Sequence, residues 1–536
     1  MSSAGTQAGA GAANAHAGAA NPWLITVAVA VATFMEVLDT TIANVVLRYI
    51  AGSMGVSEDE ASWVVTTYLV ANAVILTAST YLARMLGRKT FFLICLVLFT
   101  VASVLCAFAP NLQMLLLLRI LQGLGGGGMV PVSQAIVADS FPPSKVGQGF
   151  AVWGIAVIVA PVVGPTLGGW LSDNLSWQWC FLINGPVGVM SIALVSAVLR
   201  DPDSAVEARR RVRQQGAGFD LGGFVLVATF LGTLEIVLDR GLIDDWFAST
   251  FIAVVASVGA LSFLVMIPWE ISRRSPMIDL RMVGTRQFSA SLLVMLALGT
   301  ILLSTTQFLP QLLQENFGYT ATWAGLVLSP GGVVTMIMMP VAGRLSASVQ
   351  PRYLIAIGAA MCALGMYDMT RLTGDLDFWF FATSRMLMNA GLPLIFIPIT
   401  VAAYHGIAKG KTDQASALIN AARNIGGSVG ISVANNVLAH REQFHQSRLV
   451  ELVNPSMPQY QEALKHVTDY FVGQGGSVAQ AQQQALAWIG QQVETQASFL
   501  AYIDVFWVLM LISLAAIPLA LALRKVTLGG SVPVGH

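Results

Sequence analysis

The sequence predicts an all-α membrane protein, and two observations support this prediction. Of its 536 residues, 55% are hydrophobic and only 10% are Asp, Glu, Lys or Arg, whereas a soluble domain carries roughly 25% charged residues. The apolar residues also form long runs, and a bilayer core of about 30 Å needs about 20 such residues per helix. Too few polar side chains remain to cover a soluble fold of this size.

Fourteen runs are apolar and long enough to cross a bilayer as helices. They lie at 23–47, 61–83, 91–109, 112–138, 148–170, 179–199, 219–238, 247–269, 288–310, 322–343, 353–371, 378–404, 412–438 and 498–523. Because this number is even, both termini are expected on one side of the membrane.

Basic residues indicate which side that is, because Lys and Arg are enriched in cytoplasmic loops. With the termini inside, the inner loops and the C-terminal tail hold 19 of the 28 Lys and Arg residues, and the outer loops hold six. The remaining three, Arg119, Arg385 and Arg423, lie within helices. The sequence therefore predicts cytoplasmic termini.

The loops between the runs predict groups of six, two and six helices. We expect a flexible cytoplasmic tail (1–22), an N-terminal six-helix bundle (23–199), cytoplasmic linkers with two inserted membrane helices (200–287), a C-terminal six-helix bundle (288–524) and a cytoplasmic tail (525–536). The first 22 residues contain no Lys or Arg. They lack the charged region of a cleaved signal peptide, so the first run is expected to remain as a helix.

One loop of the C-terminal bundle, 440–497, is expected to be large and periplasmic. It is rich in Gln and Ala, has amphipathic stretches, and is longer than a simple connection requires. A functional role outside the membrane is favoured, and a tolerated insertion is the alternative.

Several function classes are excluded by composition and motifs. The 28 basic and 28 acidic residues balance, which argues against a nucleic-acid partner. The four cysteines lie in apolar runs and are interpreted as core residues, so no metal site is expected. The glycines at 123–128 match G-x-G-x-x-G but lie within an apolar span, without the strand that a dinucleotide site needs. No hydrolase motif occurs, so neither an enzyme nor a cofactor is expected.

Ionisable residues within spans are rare and often functional. The first span holds Glu36 and Asp39, and the fourth holds Arg119 with Gln122 on the same face. These side chains could form a fixed salt bridge that only holds the bundle together. Alternatively, they form a proton site whose affinity changes as Arg119 moves, and spacing alone does not decide between the two.

Two other spans carry buried charges. Glu235 in the seventh span is a candidate proton site, whereas Asp239 and Arg240 at its outer end are interpreted as structural. Arg423 in the thirteenth span either binds an anionic group or holds a helix end.

The fifth span combines small residues with prolines. Ala156, Ala160, Gly164 and Gly168 recur every four residues, which lets another helix approach closely. Pro161 and Pro165 add a bend. A gate between the two halves needs both the small residues and the bend, whereas a tight helix interface needs only the small residues.

A substrate cavity is expected between the halves, near the middle of the membrane. Its candidate lining residues are Phe34, Met35, Trp153, Gln307, Gln311 and Arg423. Met and aromatic side chains adapt to varied ligands, but the same residues are equally ordinary packing residues.

Four segments resemble the major facilitator superfamily, and within it the 14-span drug:proton antiporter branch of EmrB type. These are LDTTIANVVL (38–47), ARMLGRKT (83–90), LLLLRILQGLGGG (115–127) and GPTLGG (164–169). LDRG (238–241) and YTATWAGL (319–326) strengthen the narrower match. The chain departs from the family pattern at Arg48, Thr80, Arg84 and Glu235.

The resemblance implies a major facilitator fold and assigns roles to particular residues. Asp39 and Arg119 are implied in proton coupling, to which burial adds Glu36 and Glu235. The resemblance implies an antiporter helix with Gly164, Pro165, Gly168 and Gly169, and we expect Gly154 and Pro161 of the same span to take part in gating. The cytoplasmic loop motif comprises Arg84, Gly87, Arg88 and Lys89.

The resemblance also implies export of hydrophobic or amphipathic toxic compounds across the bacterial inner membrane in exchange for protons. Relatives in Gram-negative bacteria work with a periplasmic adaptor, an EmrA-like membrane fusion protein, and an outer-membrane channel. The alternatives are a proton-coupled exporter or symporter of one metabolite, a receptor or scaffold, and a membrane enzyme.

Overall fold

The computed structural model describes residues 21–142, 145–200, 220–273, 276, 278–374, 376–404, 407 and 412–525. These residues form helices joined by short connections, and no strand occurs among them. The predicted tails (1–20 and 526–536) and most of the basic linker (201–219) lie outside the described residues.

Eight helices form the first part of the chain. They are α1 (Pro22–Met54), α2 (Glu58–Leu86), α3 (Arg88–Cys106), α4 (Leu112–Gly126), α5 (Met129–Ser140), α6 (Val146–Asn174), α7 (Trp179–Leu182) and α8 (Asn184–Val198). Local signals set their starts. Asn21 caps α1 ahead of Pro22, and Ser57 forms a capping box with Glu60 at α2.

Ten helices follow. They are α9 (Leu221–Arg240), α10 (Thr250–Ser272), α11 (Leu280–Val283), α12 (Arg286–Asn316), α13 (Ala321–Ser348), α14 (Pro351–Met369), α15 (Phe378–Tyr404), α16 (Thr412–Leu452), α17 (Pro458–Gly473) and α18 (Val478–Leu521).

Eleven of the described segments are long and apolar enough to cross a membrane. A twelfth is α6, which bends by 43° between Pro161 and Val163. Two further long helices, α14 and α16, are less apolar and pack against the other helices of the bundle. The described chain is thus an all-helical membrane protein with 11 to 12 candidate apolar spans.

Helix α1 begins and α18 ends at the same face of the bundle, here called the terminal face. Trp23 packs edge-on against Phe141 there, and the backbone N–H of Arg524 donates to the side chain of Gln287 (2.9 Å). We call the other end of the bundle the opposite face.

The two halves meet mainly along α6 and α13. Near the terminal face, Gly147 lies against the backbone of Gly343, and farther along the pair Gly325 lies against Thr166. These small residues let the two backbones approach closely.

The predicted loop 440–497 is largely helical. Helix α16 has 41 residues and α18 has 44, which correspond to about 60 and 65 Å at 1.5 Å per residue. Both exceed the thickness of a bilayer core. The end of α16, all of α17 and the start of α18 therefore project from the opposite face as a helical extension.

Ion pairs hold the base of this extension. Asp504 on α18 accepts hydrogen bonds from Arg441 and from His445 (2.8 Å) on α16. Glu442 lies nearby, and partial burial together with repulsion from Glu315 and Glu494 raises the pKa of its carboxyl. A carboxyl whose pKa is raised by folding is destabilising when ionised, so packing at this base is expected to strengthen as the pH falls.

Candidate functional site

A buried ion pair lies at the centre of the N-terminal helices. Nη1 of Arg119 on α4 donates to Oδ2 of Asp39 on α1 at 2.7 Å, and the two side chains are 0% and 1% exposed. The sequence suggested this pairing, and the structure brings the two residues together.

The pair is enclosed by further polar groups. Oδ1 of Asp39 accepts hydrogen bonds from Gln122 (2.9 Å) and from Asn184 on α8 (2.7 Å). Arg119 donates from Nε to the Val64 carbonyl on α2 (3.0 Å) and lies 4.3 Å above the Tyr68 ring. The network joins four helices, and such charge-assisted hydrogen bonds are about twice as strong as neutral ones.

Glu36 does not share Arg119 with Asp39. Its carboxylate is 5% exposed and accepts hydrogen bonds from Tyr68 and Asn72 on α2, both at 3.1 Å. No basic nitrogen of the described residues lies within 4 Å of it. Three residues along a helix rotate the side chain by about 60°, enough to turn Glu36 towards α2.

Tyr68 connects the two acidic positions. Its ring lies against Arg119 and its hydroxyl donates to Glu36. A change in the charge of Glu36 therefore acts on the residue that supports the ion pair.

Charged groups also lie where the inserted helix α9 meets α16. Ser428 on α16 donates to Glu235 on α9 (2.7 Å), beside a small cleft lined by Ala73 of α2 and Asn424 of α16. Arg423 donates to Asn424 (3.4 Å), and its Nη1 is buried with no hydrogen-bond partner among the described residues. Arg423 is also the cation that acts electrostatically on Glu36 across the two halves.

Helix α9 is anchored on α2. Arg240 donates to the Asp59 carbonyl and to Ser62, both at 2.7 Å, and Thr66 donates to Asp239. These contacts agree with a structural interpretation of Asp239 and Arg240.

The small residues of α6 do not all face the other half. Gly164 and Gly168 lie against Thr41 and Ile42 of α1, which belongs to the same half. Gly154 instead packs against Met339 of α13 across the interface. The glycines of the stripe therefore serve a contact within the N-terminal half, whereas Gly154, which lies outside the stripe, serves the interface between the halves.

The remaining α6 motif residues lie around the bend. Pro161 and Pro165 are inside the helix, and Gly169 is buried one turn beyond Pro165.

Aromatic and amide side chains close the interface towards the terminal face. Trp153 stacks on Phe396 (6.1 Å between ring centroids) and Phe150 stacks on Tyr404 (5.7 Å). Ser416 and Asn420 of α16 both donate to Gln134 of α5. These two polar bridges join the halves, and sequence reasoning missed them.

The predicted cavity residues differ in burial and in their hydrogen-bond partners. Trp153 is fully buried and donates to Ser133 (2.9 Å), and Met35 lies in the core. Phe34 and Gln307 are partly buried, and Gln311 donates to Glu315 (3.0 Å).

The loop motif between α2 and α3 contacts two other helices. Gly87 has a φ of 89°, which favours glycine at the turn, and Arg84 lies in the last turn of α2. Arg88 pairs with Asp139 on α5 (2.6 Å), and Lys89 donates to the Ser196 carbonyl on α8 (2.7 Å).

Several polar partners escaped sequence analysis, namely Tyr68, Asn72, Asn184 and Ser428. Each is a polar residue inside an apolar run, and that signal could have identified it. Single polar residues are common in such runs, so their partners became evident only from packing.

Comparisons with known proteins agree with this architecture. The sequence profile described as "Major Facilitator Superfamily" matches residues 29–431. The chain is 35% identical over 490 residues to the multidrug export protein EmrB of Escherichia coli (strain K12), covering 90% of this chain and 92% of the relative. It is 32% identical over 502 residues to the fatty acid resistance protein FarB of Neisseria gonorrhoeae, covering 94% and 96%.

A solved structure shows the same fold. The proton:xylose symporter XylE superposes with a TM-score of 0.57 at 14% identity, covering 93% of this chain and 96% of that chain.

The all-helical membrane fold and its buried charged centre define a polytopic membrane transporter, not an enzyme. The chain belongs to the major facilitator superfamily and, within it, to the EmrB-type multidrug export proteins. It is accordingly a multi-pass protein of the bacterial inner membrane.

We expect the effects of Asp39 and Arg119 substitutions on the free energy of unfolding to be strongly coupled. Asp39→Asn and Arg119→Gln should each lower stability by about 3–5 kcal/mol, because each leaves a charge buried without its partner. The double variant should lose less than the sum of the two. All four cysteines are buried, so unfolding in detergent can be followed with a thiol-reactive dye.

A matched control is Arg88→Gln, since Arg88 pairs with a carboxylate that is 45% exposed. Its loss should be within about 1 kcal/mol. Additive losses at Asp39 and Arg119 would contradict the coupling.

Proposed function

We propose that this chain exports hydrophobic or amphipathic drugs from the cytoplasm in exchange for protons. The export of drugs is supported by the similarity to EmrB over 90% of the chain. Proton exchange is supported by one observation above all. Glu36 is buried inside a membrane helix with hydrogen-bond donors but with no ion-pair partner among the residues that the structure describes.

The proposed topology has 14 membrane helices with both termini in the cytoplasm. Twelve apolar segments, when the bent α6 is counted as one span, together with α14 and α16 would make up that number. The distribution of Lys and Arg supports cytoplasmic termini. The terminal face is then cytoplasmic, and the closed contacts at Trp153, Phe150 and Gln134 block access from the cytoplasm.

The proposed coupling is a competition between a proton and Arg423 for Glu36. A carboxylate in apolar surroundings is destabilising unless a proton or a cation neutralises it. Glu36 belongs to α1 and Arg423 to α16, so pairing the two draws the halves together, and protonation of Glu36 releases them. Asp39 and Arg119 hold α1 in place while this happens.

The energy available matches such a role. A proton that moves down a potential of 100 mV supplies about 2.3 kcal/mol. This corresponds to a gradient of roughly fifty-fold for a neutral compound. No cofactor is needed, because the proton is the coupling ion.

We further propose that the helical extension docks a periplasmic adaptor of the EmrA-like membrane fusion type, which leads to an outer-membrane channel. Its surface exposes large apolar side chains, among them Tyr470 (62%), Val478 (67%) and Trp488 (42%). Such patches mark protein contacts when they lie outside the membrane.

Flux in proteoliposomes tests the coupling. With a pH-sensitive dye inside, an imposed gradient of a hydrophobic drug should drive protons in the opposite direction. Glu36→Gln should lower this counterflow at least about tenfold, because a group that cannot exchange a proton cannot couple. Asp39→Asn should also lower it, because α1 loses the ion pair that holds it in place. Glu462→Gln, on the exposed helix α17, is the control and should transport normally.

Proton movement in the same direction as the drug would make the chain a symporter. Full counterflow in Glu36→Gln would show that Glu36 is structural.

Adaptor docking is tested by cross-linking in membranes. Tyr470→Cys and Trp488→Cys should cross-link to a co-expressed adaptor, whereas a cysteine at Thr370, between α14 and α15, should not. Equal cross-linking at all three positions would contradict docking on the extension.

A further inference from the structure

The two halves repeat the sequence pattern around a buried arginine. Arg119 lies seven residues after Leu112, where α4 begins, and Arg385 lies seven residues after Phe378, where α15 begins. Each arginine is followed by leucine two residues later and by glycine six residues later.

The packing repeats as well. Gly125 lies against Cys95 and Phe99 of α3, which are the seventh and eleventh residues after the helix begins at Arg88. Gly391 lies against Gly358 and Cys362, at the same two positions of α14 after Pro351. Arg385 is thus the structural counterpart of Arg119, and α12 takes the place of α1.

The partners of the two arginines differ in charge. Where Arg119 contacts Asp39, Arg385 donates to the hydroxyls of Thr305 (2.6 Å) and Thr306 (2.9 Å) on α12. No carboxylate among the described residues lies within 4 Å of the Arg385 guanidinium. Arg385 is 0% exposed, so the C-terminal half holds a buried cation without its anion.

Unsatisfied polar atoms gather at the same place. Nε of Arg385 and both amide atoms of Asn389, one helical turn further along α15, have no hydrogen-bond partner among the described residues. Asn389 is also 0% exposed. Gly331 of α13 packs closely against them, since a methyl group there would lie only 2.7 Å from Nδ2 of Asn389.

We propose that Arg385 and Asn389 bind the anionic head group of a transported compound, foremost a carboxylate. The head group would take the position that Asp39 occupies in the N-terminal half. A guanidinium binds a carboxylate through two parallel hydrogen bonds, and the Asn389 amide adds a third donor. The proposal rests on the proposed export function and names one class of substrate for it.

The site is closed in this conformation, because Gly331 and its neighbours on α13 cover it. Helix α13 is also the helix that packs on α6 across the interface. A shift of α13 relative to α15 during the exchange of conformations would open the site, so binding would be coupled to transport.

Thr305→Asp tests the proposal, because it supplies a fixed carboxylate to Arg385 as in the N-terminal half. The full chain in lipid nanodiscs is titrated with 1-pyrenebutyrate and with the uncharged 1-pyrenebutanol, and empty nanodiscs give the background. Thr305→Asp should keep the unfolding temperature or raise it, and should weaken pyrenebutyrate binding at least about tenfold, a factor equal to about 1.4 kcal/mol. Pyrenebutanol binding should change less than about twofold.

Two variants complete the test. Thr305→Asn introduces a side chain of the same shape as that of Thr305→Asp but without its charge, and it should bind pyrenebutyrate like the wild type. Arg385→Gln should weaken pyrenebutyrate binding as much as Thr305→Asp does. If Arg385→Gln does not fold, the result for Thr305→Asp alone tests the proposal. The proposed site would be contradicted if Thr305→Asp bound pyrenebutyrate as tightly as the wild type, or if it lost affinity for pyrenebutyrate and pyrenebutanol equally.

A competition experiment distinguishes binding of a substrate head group from binding of a free inorganic anion. If 100 mM chloride displaces pyrenebutyrate from the wild type, a small anion fills the site, and the head-group proposal is wrong. The binding assay and the flux assay can fail independently. If pyrenebutyrate binds at Arg385 but a drug gradient drives no proton flux, the proposed export function is wrong and the proposed binding site is still supported.

Discussion

A charge inside the bilayer must be neutralised, and this constraint organises the structure. Asp39 and Arg119 neutralise each other, and their ion pair also makes hydrogen bonds with Gln122, Asn184 and the Val64 carbonyl. The network fixes α1, α2, α4 and α8 to one another. The N-terminal half therefore has a rigid polar core, and the groups able to change state are those that the core leaves without an ion pair.

Those groups lie at the contacts between helices that must move. Glu36 accepts hydrogen bonds from α2, and Glu235 accepts one from α16. Arg385, which is buried, and Arg423, which is partly buried, lie in the C-terminal half. The two halves share a fold, but their buried charges are unequal. In the proposed mechanism, this inequality lets a proton or an anionic substrate change how they pack.

The sequence predicted the class, the helices and the central pair, because long apolar runs and rare buried charges are strong signals. It could not show that Glu36 turns towards Tyr68, since a three-residue spacing permits either partner. The same limit applied to Gly164 and Gly168, whose close partner proved to be α1. The sequence also did not show how far α16 and α18 extend beyond the membrane, because Gln- and Ala-rich segments predict a helix but not where it ends. Which face meets which neighbour is decided by tertiary packing.

The central claim is that a proton and Arg423 compete for Glu36, and that drug binding is coupled to release of this proton. It is tested most directly by counting protons when a drug binds to the purified protein. Isothermal titration in buffers of different ionisation enthalpy gives that number. The account predicts release of about one proton per drug bound by the wild type and none by Glu36→Gln, whose side chain holds no exchangeable acid proton. Drug binding to the wild type without proton release would contradict it.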